Sequence, residues 1–112
     1  MPFIRAVEVT AVAPGSSAPV FLDDRWVAVC NDAGRFHACD HDCPHAGGAL
    51  SSGSVEDGKI ICPVHHWPWD LTTGKTAEEW GHMRVRCYAV EIRDGGVYVD
   101  VDQVLNGPVT ET

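Results

Sequence analysis

The sequence predicts an all-β fold, an antiparallel sandwich or barrel, and three observations predict it. Short runs rich in β-branched and aromatic residues alternate with turn signals. No stretch sustains a 3.6-residue apolar period. Eleven Gly and seven Pro among 112 residues supply many turns. A chain of this length, 45% hydrophobic, reads as one domain spanning 1–112 with a small core.

Taken in order, "FIRAVEVTAV" (3–12) has strand composition, and "APGSSAP" (13–19) is a loop. "PVFL" (19–22) and "WVAVCN" (26–31) form a hairpin around Asp23-Asp24. Asp32-Ala33-Gly34 turns the chain into "RFHA" (35–38), and Asp57-Gly58 turns it into "KIIC" (59–62). "WDL" (69–71) runs into a turn at Thr73-Gly74. The clearest hairpin is "RVRCYAVEIR" (84–93), Asp94-Gly95-Gly96, then "VYVDV" (97–101). In its second strand Val97, Val99 and Val101 share one face, and Tyr98, Asp100 and Asp102 the other. "TAEEWGH" (76–82) reads as no more than a helical turn, stopped by Gly81. The polar tail 103–112 is expected to fray.

The net charge is -8, from 8 basic and 16 acidic residues. That argues against a nucleic-acid partner, which would need clustered Lys and Arg. It suits either solubility or steering toward a basic protein. No apolar run approaches the roughly 20 residues of a membrane span, and "MPFIRAVEV" lacks a basic region followed by an apolar one. The expected compartment is the cytoplasm, and the expectation is of no membrane partner. In that compartment five cysteines read as metal ligands or buried thiols rather than disulfides. Cys30 and Cys87 sit in apolar runs and read as small buried hydrophobes.

Two short clusters carry the chemistry. Cys43-Pro44-His45 is C-x-H, Cys62-Pro63-Val64-His65 is C-x-x-H, and 16 residues separate His45 from Cys62. Both fall in loops, where sites are usually built on a rigid sheet. Each proline stiffens its loop, and Gly47 and Gly48 let the backbone approach closely. Three readings compete: coincidence, a structural zinc held by Cys₂His₂, and a two-iron, two-sulfide cluster with Cys₂ on one iron and His₂ on the other. Zinc fingers usually pair Cys with Cys and His with His in each half. Here each half holds one of each, which suits the asymmetric cluster.

The pattern C-x-H-x16-C-x-x-H resembles the Rieske iron–sulfur motif. The resemblance extends to "HAGGAL" (45–50), "WDLTTGK" (69–75) and "AVEIRDGGVYVDV" (89–101), and covers roughly residues 20 to 102. It implies that Cys43 and Cys62 bind one iron and that His45 and His65 bind the other. It also implies a β base with a small cluster-binding subdomain at its tip, the loops lying at about 39–50 and 60–70. The implied function is a one-electron carrier with one [2Fe-2S] cluster and no catalysis of its own. Such a carrier takes electrons from a flavin-dependent NAD(P)H reductase and delivers them to a terminal ring-hydroxylating oxygenase through transient contacts. The alternative is a small subunit of an NAD(P)H nitrite reductase complex. Cys39-Asp40-His41 is a second C-x-H, but it lacks the intervening proline and leaves 20 residues before Cys62, so both side chains read as bystanders. His66 stands where the family often has Gly and is not expected to be a ligand. His37 and His82 read as ordinary histidines.

High-potential members of the family resemble C-T-H-x-x-C and C-P-C-H-G-S-x-Y, with a disulfide between the loops and Ser and Tyr hydroxyls against the cluster. Gly48 and Val64 stand at the disulfide positions here, and Trp67 and Trp69 at the hydroxyl positions. Fewer donors to sulfur, on an acidic chain, disfavour the added electron. The expected potential is therefore on the order of -150 mV, the low end of the Rieske span.

Overall fold

The computed structural model describes residues 3–43, 48–64, 66–76 and 83–106. Among them, nine strands form two antiparallel sheets: β1 (Ile4–Glu8), β2 (Ser17–Leu22), β3 (Arg25–Asp32), β4 (Arg35–Asp40), β5 (Val55–Glu56), β6 (Lys59–Ile61), β7 (Pro68–Asp70), β8 (Cys87–Arg93) and β9 (Gly96–Val104). The larger sheet runs β1-β9-β8-β4-β3-β2, and the smaller β5-β6-β7. The edges β1 and β2 of the larger sheet approach each other, which curls it toward a barrel.

Four two-residue turns set the hairpins: Asp23-Asp24, Ala33-Gly34, Asp57-Gly58 and Asp94-Gly95. All eight residues have positive φ, the type I′ geometry that matches strand twist. Each turn lies within the residues named from the sequence, although Asp32 closes β3 and Gly96 opens β9.

Alternation along the strands divides the buried residues into two cores. Val27 and Val29 of β3 pack inside the barrel with Leu22, Ala38, Tyr88, Val97, Val99 and Val101. Ala28, Cys30 and Cys39 face the other way, onto Leu50, Val55, Ile60, Trp69, Leu71 and Val85. The second core joins the small sheet to the barrel wall, and Cys43 and Cys62 belong to it. A backbone bond from Val55 N to Gly15 O (3.0 Å) adds a polar tie.

Several element bounds differ from the sequence expectation. Residues 3–12 are not one strand. β1 ends at Glu8, opposite Gly96 where β9 begins, and Val9–Ala11 forms a 3₁₀ turn. β2 starts at Ser17, inside the expected loop, because Ser17 pairs with Cys30. β8 starts at Cys87 rather than at 84, since the segment before it turns to the second loop: Lys75 bridges Arg84, and Val85 N donates to Gly74 O at 2.9 Å. The tail does not fray from 103, because β9 continues to Val104 and Asn106 is anchored. Asn106 Nδ2 donates to Thr73 O (3.0 Å) and Val85 O (2.9 Å), and its Oδ1 accepts from Cys87 N (3.0 Å). Asp100 is buried on the face it shares with Tyr98 and Asp102, and its carboxylate accepts from Asp102 N and Gln103 Nε2. The expected helical turn at 76–82, apart from Thr76, lies outside the described residues, as do His82 and the tail beyond 106.

Candidate metal centre

Both cysteines of the motif stand where a strand gives way to a loop. Cys43 lies three residues past β4, and Cys62 directly follows β6. The first loop is pinned across its neck: Cys43 N donates to Gly48 O (2.9 Å), and Leu50 N to His41 O (2.8 Å). The second is pinned in the same manner, with Cys62 N donating to Trp67 O (2.9 Å) and His66 N to Cys62 O (2.9 Å). The two loops meet at Gly48. A Cβ at this position would lie 3.3 Å from Cys62 Sγ, 2.5 Å from Val64 Cγ2 and 3.5 Å from Val64 Cβ. Positions 48 and 64 therefore face each other at the Cβ spacing of a disulfide, and a glycine and a valine occupy them.

Cys43 and Cys62 are 2% and 0% exposed, so the structure brings both expected thiol ligands into one dry core. His45 and His65, the other two expected ligands, lie outside the described residues, as do Pro44, Ala46 and Gly47. Among the described residues no group of three or more His, Cys, Asp and Glu converges as a metal site. The remaining cysteines sit within strands. Cys39 of β4 pairs with Ala28 on one side and Cys87 of β8 on the other, and Cys30 is buried beside them. A hydrogen bond with the Cys30 thiol, and then burial, raise the Cys39 thiol well above its usual range. Burial, followed by the charge of Asp40, pushes Cys87 up to about 12. Both stay protonated, and a protonated thiol is a poor ligand and nucleophile. His37 is half-buried, and desolvation lowers its pKa.

The residues present fit an iron–sulfur group. The paired buried thiols are soft donors suited to such a cluster. Beside them in the same core, the Trp69 indole N–H is fully buried with no hydrogen-bond partner among the described residues. An orphaned buried donor costs roughly 1–3 kcal/mol, and a sulfide-bearing group in this core would supply acceptors. Trp67 packs against the same core, its ring 6.2 Å from that of Trp69.

His66 has φ +60°, a left-handed conformation that glycine adopts without cost. This explains in physical terms why glycine suits that position. His66→Gly is expected to stabilise the protein by about 1 kcal/mol without changing iron content, as measured by thermal unfolding and metal analysis.

Sequence reasoning missed two sets of supporting residues. Ser17, taken as part of a loop, donates from Oγ to Ser51 O (3.0 Å) and lies 3.3 Å from Gly53 O and 3.4 Å from Leu50 O, clamping the turn after the first loop to β2. At the base of that loop, Tyr88 Oη donates to Asp40 Oδ1 (2.5 Å), Arg86 N to Asp40 Oδ2 (2.8 Å) and Arg25 Nη1 to Tyr88 Oη (3.2 Å). Burial, then the Asp40 carboxylate, push Tyr88 up to about 12. Nothing local in the sequence marks these residues, because their partners lie 33 to 63 positions away.

The comparisons agree with this geometry. The model of the Rieske [2Fe-2S] domain matches residues 3–89. The biphenyl dioxygenase ferredoxin subunit of Pseudomonas sp. (strain KKS102) is 32% identical over 101 residues, covering 89% of this chain and 93% of that protein. Among solved structures, a ferredoxin of Sphingomonas yanoikuyae B1 is 28% identical with a TM-score of 0.78, covering 88% of this chain and 98% of the other. The ferredoxin–oxygenase complex of carbazole 1,9a-dioxygenase matches at 26% identity and a TM-score of 0.76, covering 87% and 91%. Nitrite reductase small subunits match at 24% and 18% identity, a likeness that shows the fold alone. With two buried cysteines at the necks of two loops that meet at Gly48, and with a family model spanning most of its length, the chain belongs to the Rieske [2Fe-2S] domain family.

Proposed function

We propose that this chain is the ferredoxin of an oxygenase system, a one-electron carrier between an NAD(P)H-dependent flavin reductase and a terminal, ring-hydroxylating oxygenase. The observation that carries the reading is the pair of dry cysteines at facing loop necks, in a sequence whose motif adds one histidine to each loop. Cys43 and Cys62 hold one iron, and His45 and His65 the other. When bound, the cluster supplies one-electron redox chemistry. The chain's own residues hold it and exclude water. Leu50, Ile60, Trp69 and Leu71 wall the thiols, and the four neck hydrogen bonds fix both loops. Residues 1–112 act as one unit, with no catalytic residue of their own.

The relatives support one of the two proposed partners. The carbazole dioxygenase complex contains an oxygenase and a ferredoxin of this fold, which supports the downstream half. The reductase is inferred from the need for an electron source. A cytoplasmic, reducing setting suits a chain with five cysteines and no disulfide among the described residues. Among those residues no helix is long and apolar enough to cross a membrane. The nitrite reductase reading rests on fold alone and is not adopted.

The test is direct. Purified protein should be red-brown, carry iron and acid-labile sulfide, and bleach with dithionite. Its midpoint is expected near -150 mV, because the two hydroxyl donors of high-potential members are absent, the buried Trp69 N–H replaces only one of them, and the chain is acidic. A potentiometric titration with a clearly positive midpoint would overturn the low-potential assignment, and purified protein carrying zinc would overturn the function.

A further inference from the structure

The outer face of β2, β3 and β4 carries side chains in cross-strand rows. The register gives Ser17–Cys30–His37, then Pro19–Ala28–Cys39, and next Phe21–Trp26, which His41 extends one residue beyond β4. In the first two rows Cys30, Ala28 and Cys39 are fully buried beneath the cluster subdomain. The third row runs out from under that cover. Phe21 and Trp26 are 54% and 53% exposed, and their rings meet edge-on at 5.3 Å. The Trp26 ring lies 6.0 Å from that of His41, two residues before Cys43. Two exposed aromatic side chains and the partly buried His41 thus lead from the hairpin tip toward Cys43.

A second observation concerns the rim. Three of the four type I′ turns end in glycine, but the one beside this row is Asp23-Asp24, with φ +47° and +72°. Two aspartates in left-handed geometry are less stable there than Asn-Gly, and their adjacent charges repel. Asp42, its side chain 82% exposed, flanks the other end of the row. Aromatic residues surrounded by a charged rim are the usual anatomy of a docking face.

We propose that the Phe21–Trp26–His41 row, rimmed by Asp23, Asp24 and Asp42, is a docking face for a redox protein whose contact surface has an apolar centre ringed by Lys and Arg. The proposal rests on the electron-carrier reading for the redox character of the partner. The acidic rim and the net charge of -8 select the basic ring and oppose a second copy of this chain. A partner seated there reaches His41, two residues before Cys43, so the electron would have little protein to cross. Transfer moves one electron from the reduced carrier to the oxidised partner, and no bond or proton need move.

Ferricytochrome c, a haem protein whose haem edge is ringed by lysines, is the test partner. Its binding to oxidised holoprotein, measured by calorimetry at low salt, needs no electron transfer. Phe21→Ser with Trp26→Ser is expected to weaken binding about tenfold, while Ile92→Ser, equally exposed on β8, leaves it unchanged. Asp23→Asn with Asp24→Gly is expected to raise the unfolding midpoint yet weaken binding several-fold and flatten its salt dependence. A merely structural turn would not separate those two readouts. Wild-type binding by the aromatic variant, or a dimer in sedimentation that disperses on Trp26→Ser, overturns the proposal. Tight binding without any reduction of cytochrome c by reduced holoprotein would instead count against the carrier reading, leaving the docking face in place.

Discussion

Cys62→Ser is expected to yield colourless protein with less than about a tenth of the iron of wild type, which carries two per chain. Serine is nearly isosteric, but its hydroxyl stays protonated where a thiol ionises, and its oxygen is a harder donor. Cys62 is wholly buried, so no exogenous ligand can easily replace it. Cys43→Ser, His45→Ala and His65→Ala are expected to behave alike, because each removes one of the four proposed ligands. Cys39→Ala and Cys87→Ala are the controls. Both thiols lie inside strands, and both are held protonated by their surroundings. These variants should keep their iron and lose only on the order of 1 kcal/mol of stability. The ligand variants should also unfold at lower temperature, since a cluster that binds only the folded chain stabilises it by mass action. Iron and sulfide analysis with a visible spectrum decides the matter. Iron lost from Cys39→Ala but kept in Cys43→Ser would move the site to the upstream C-x-H.

What the sequence made legible was local. Asp-Gly and Ala-Gly pairs announce left-handed turns, and alternating valines announce a half-buried strand, so the hairpins were readable. The two Cys/His clusters were readable because ligand order and spacing are themselves chain-local. Strand ends were less so, because a strand lasts only as long as its partner. Val9-Thr10-Ala11 has strand composition, yet β1 stops at Glu8 because β9 begins opposite it at Gly96. Ser17 looked like a loop residue but is held in β2 by Cys30 and by the carbonyls after the first cluster loop. Gln103 and Val104 looked like tail, yet Val104 pairs with Tyr88, and Asn106 closes the segment with three hydrogen bonds. The aromatic row was hidden for the same reason: Phe21, Trp26 and His41 become neighbours only through register.

Gly53 exposes the coupling between the two cluster loops most sharply. It sits in the excursion that joins them, with φ -87° and ψ 166°, a conformation any residue adopts. Its requirement for glycine is therefore purely steric. A Cβ would fall 1.9 Å from Ile61 O, 2.9 Å from Ile61 C and 3.2 Å from Leu50 O. These are backbone atoms at the residue before Cys62 and at the turn that follows the first loop. To admit a methyl group, the chain must open by about 1 Å, since real Cβ contacts are not found below 3.0 Å. Opening there strains the bond from Ile61 N to Ser54 O (2.9 Å) and the contact of Ser17 Oγ with Gly53 O (3.3 Å). Gly53→Ala is thus expected to cost about 3 kcal/mol or more, lowering the unfolding temperature of holoprotein by at least roughly 10 °C and reducing iron retention on dilution. Gly95→Ala is the matched control. Its φ is +76°, but a Cβ there meets nothing within 4 Å, so only the left-handed backbone resists, at about 1 kcal/mol. Equal losses from the two variants, by calorimetry, would mean that the excursion yields freely and that the spacing of the two loops is not set by this contact.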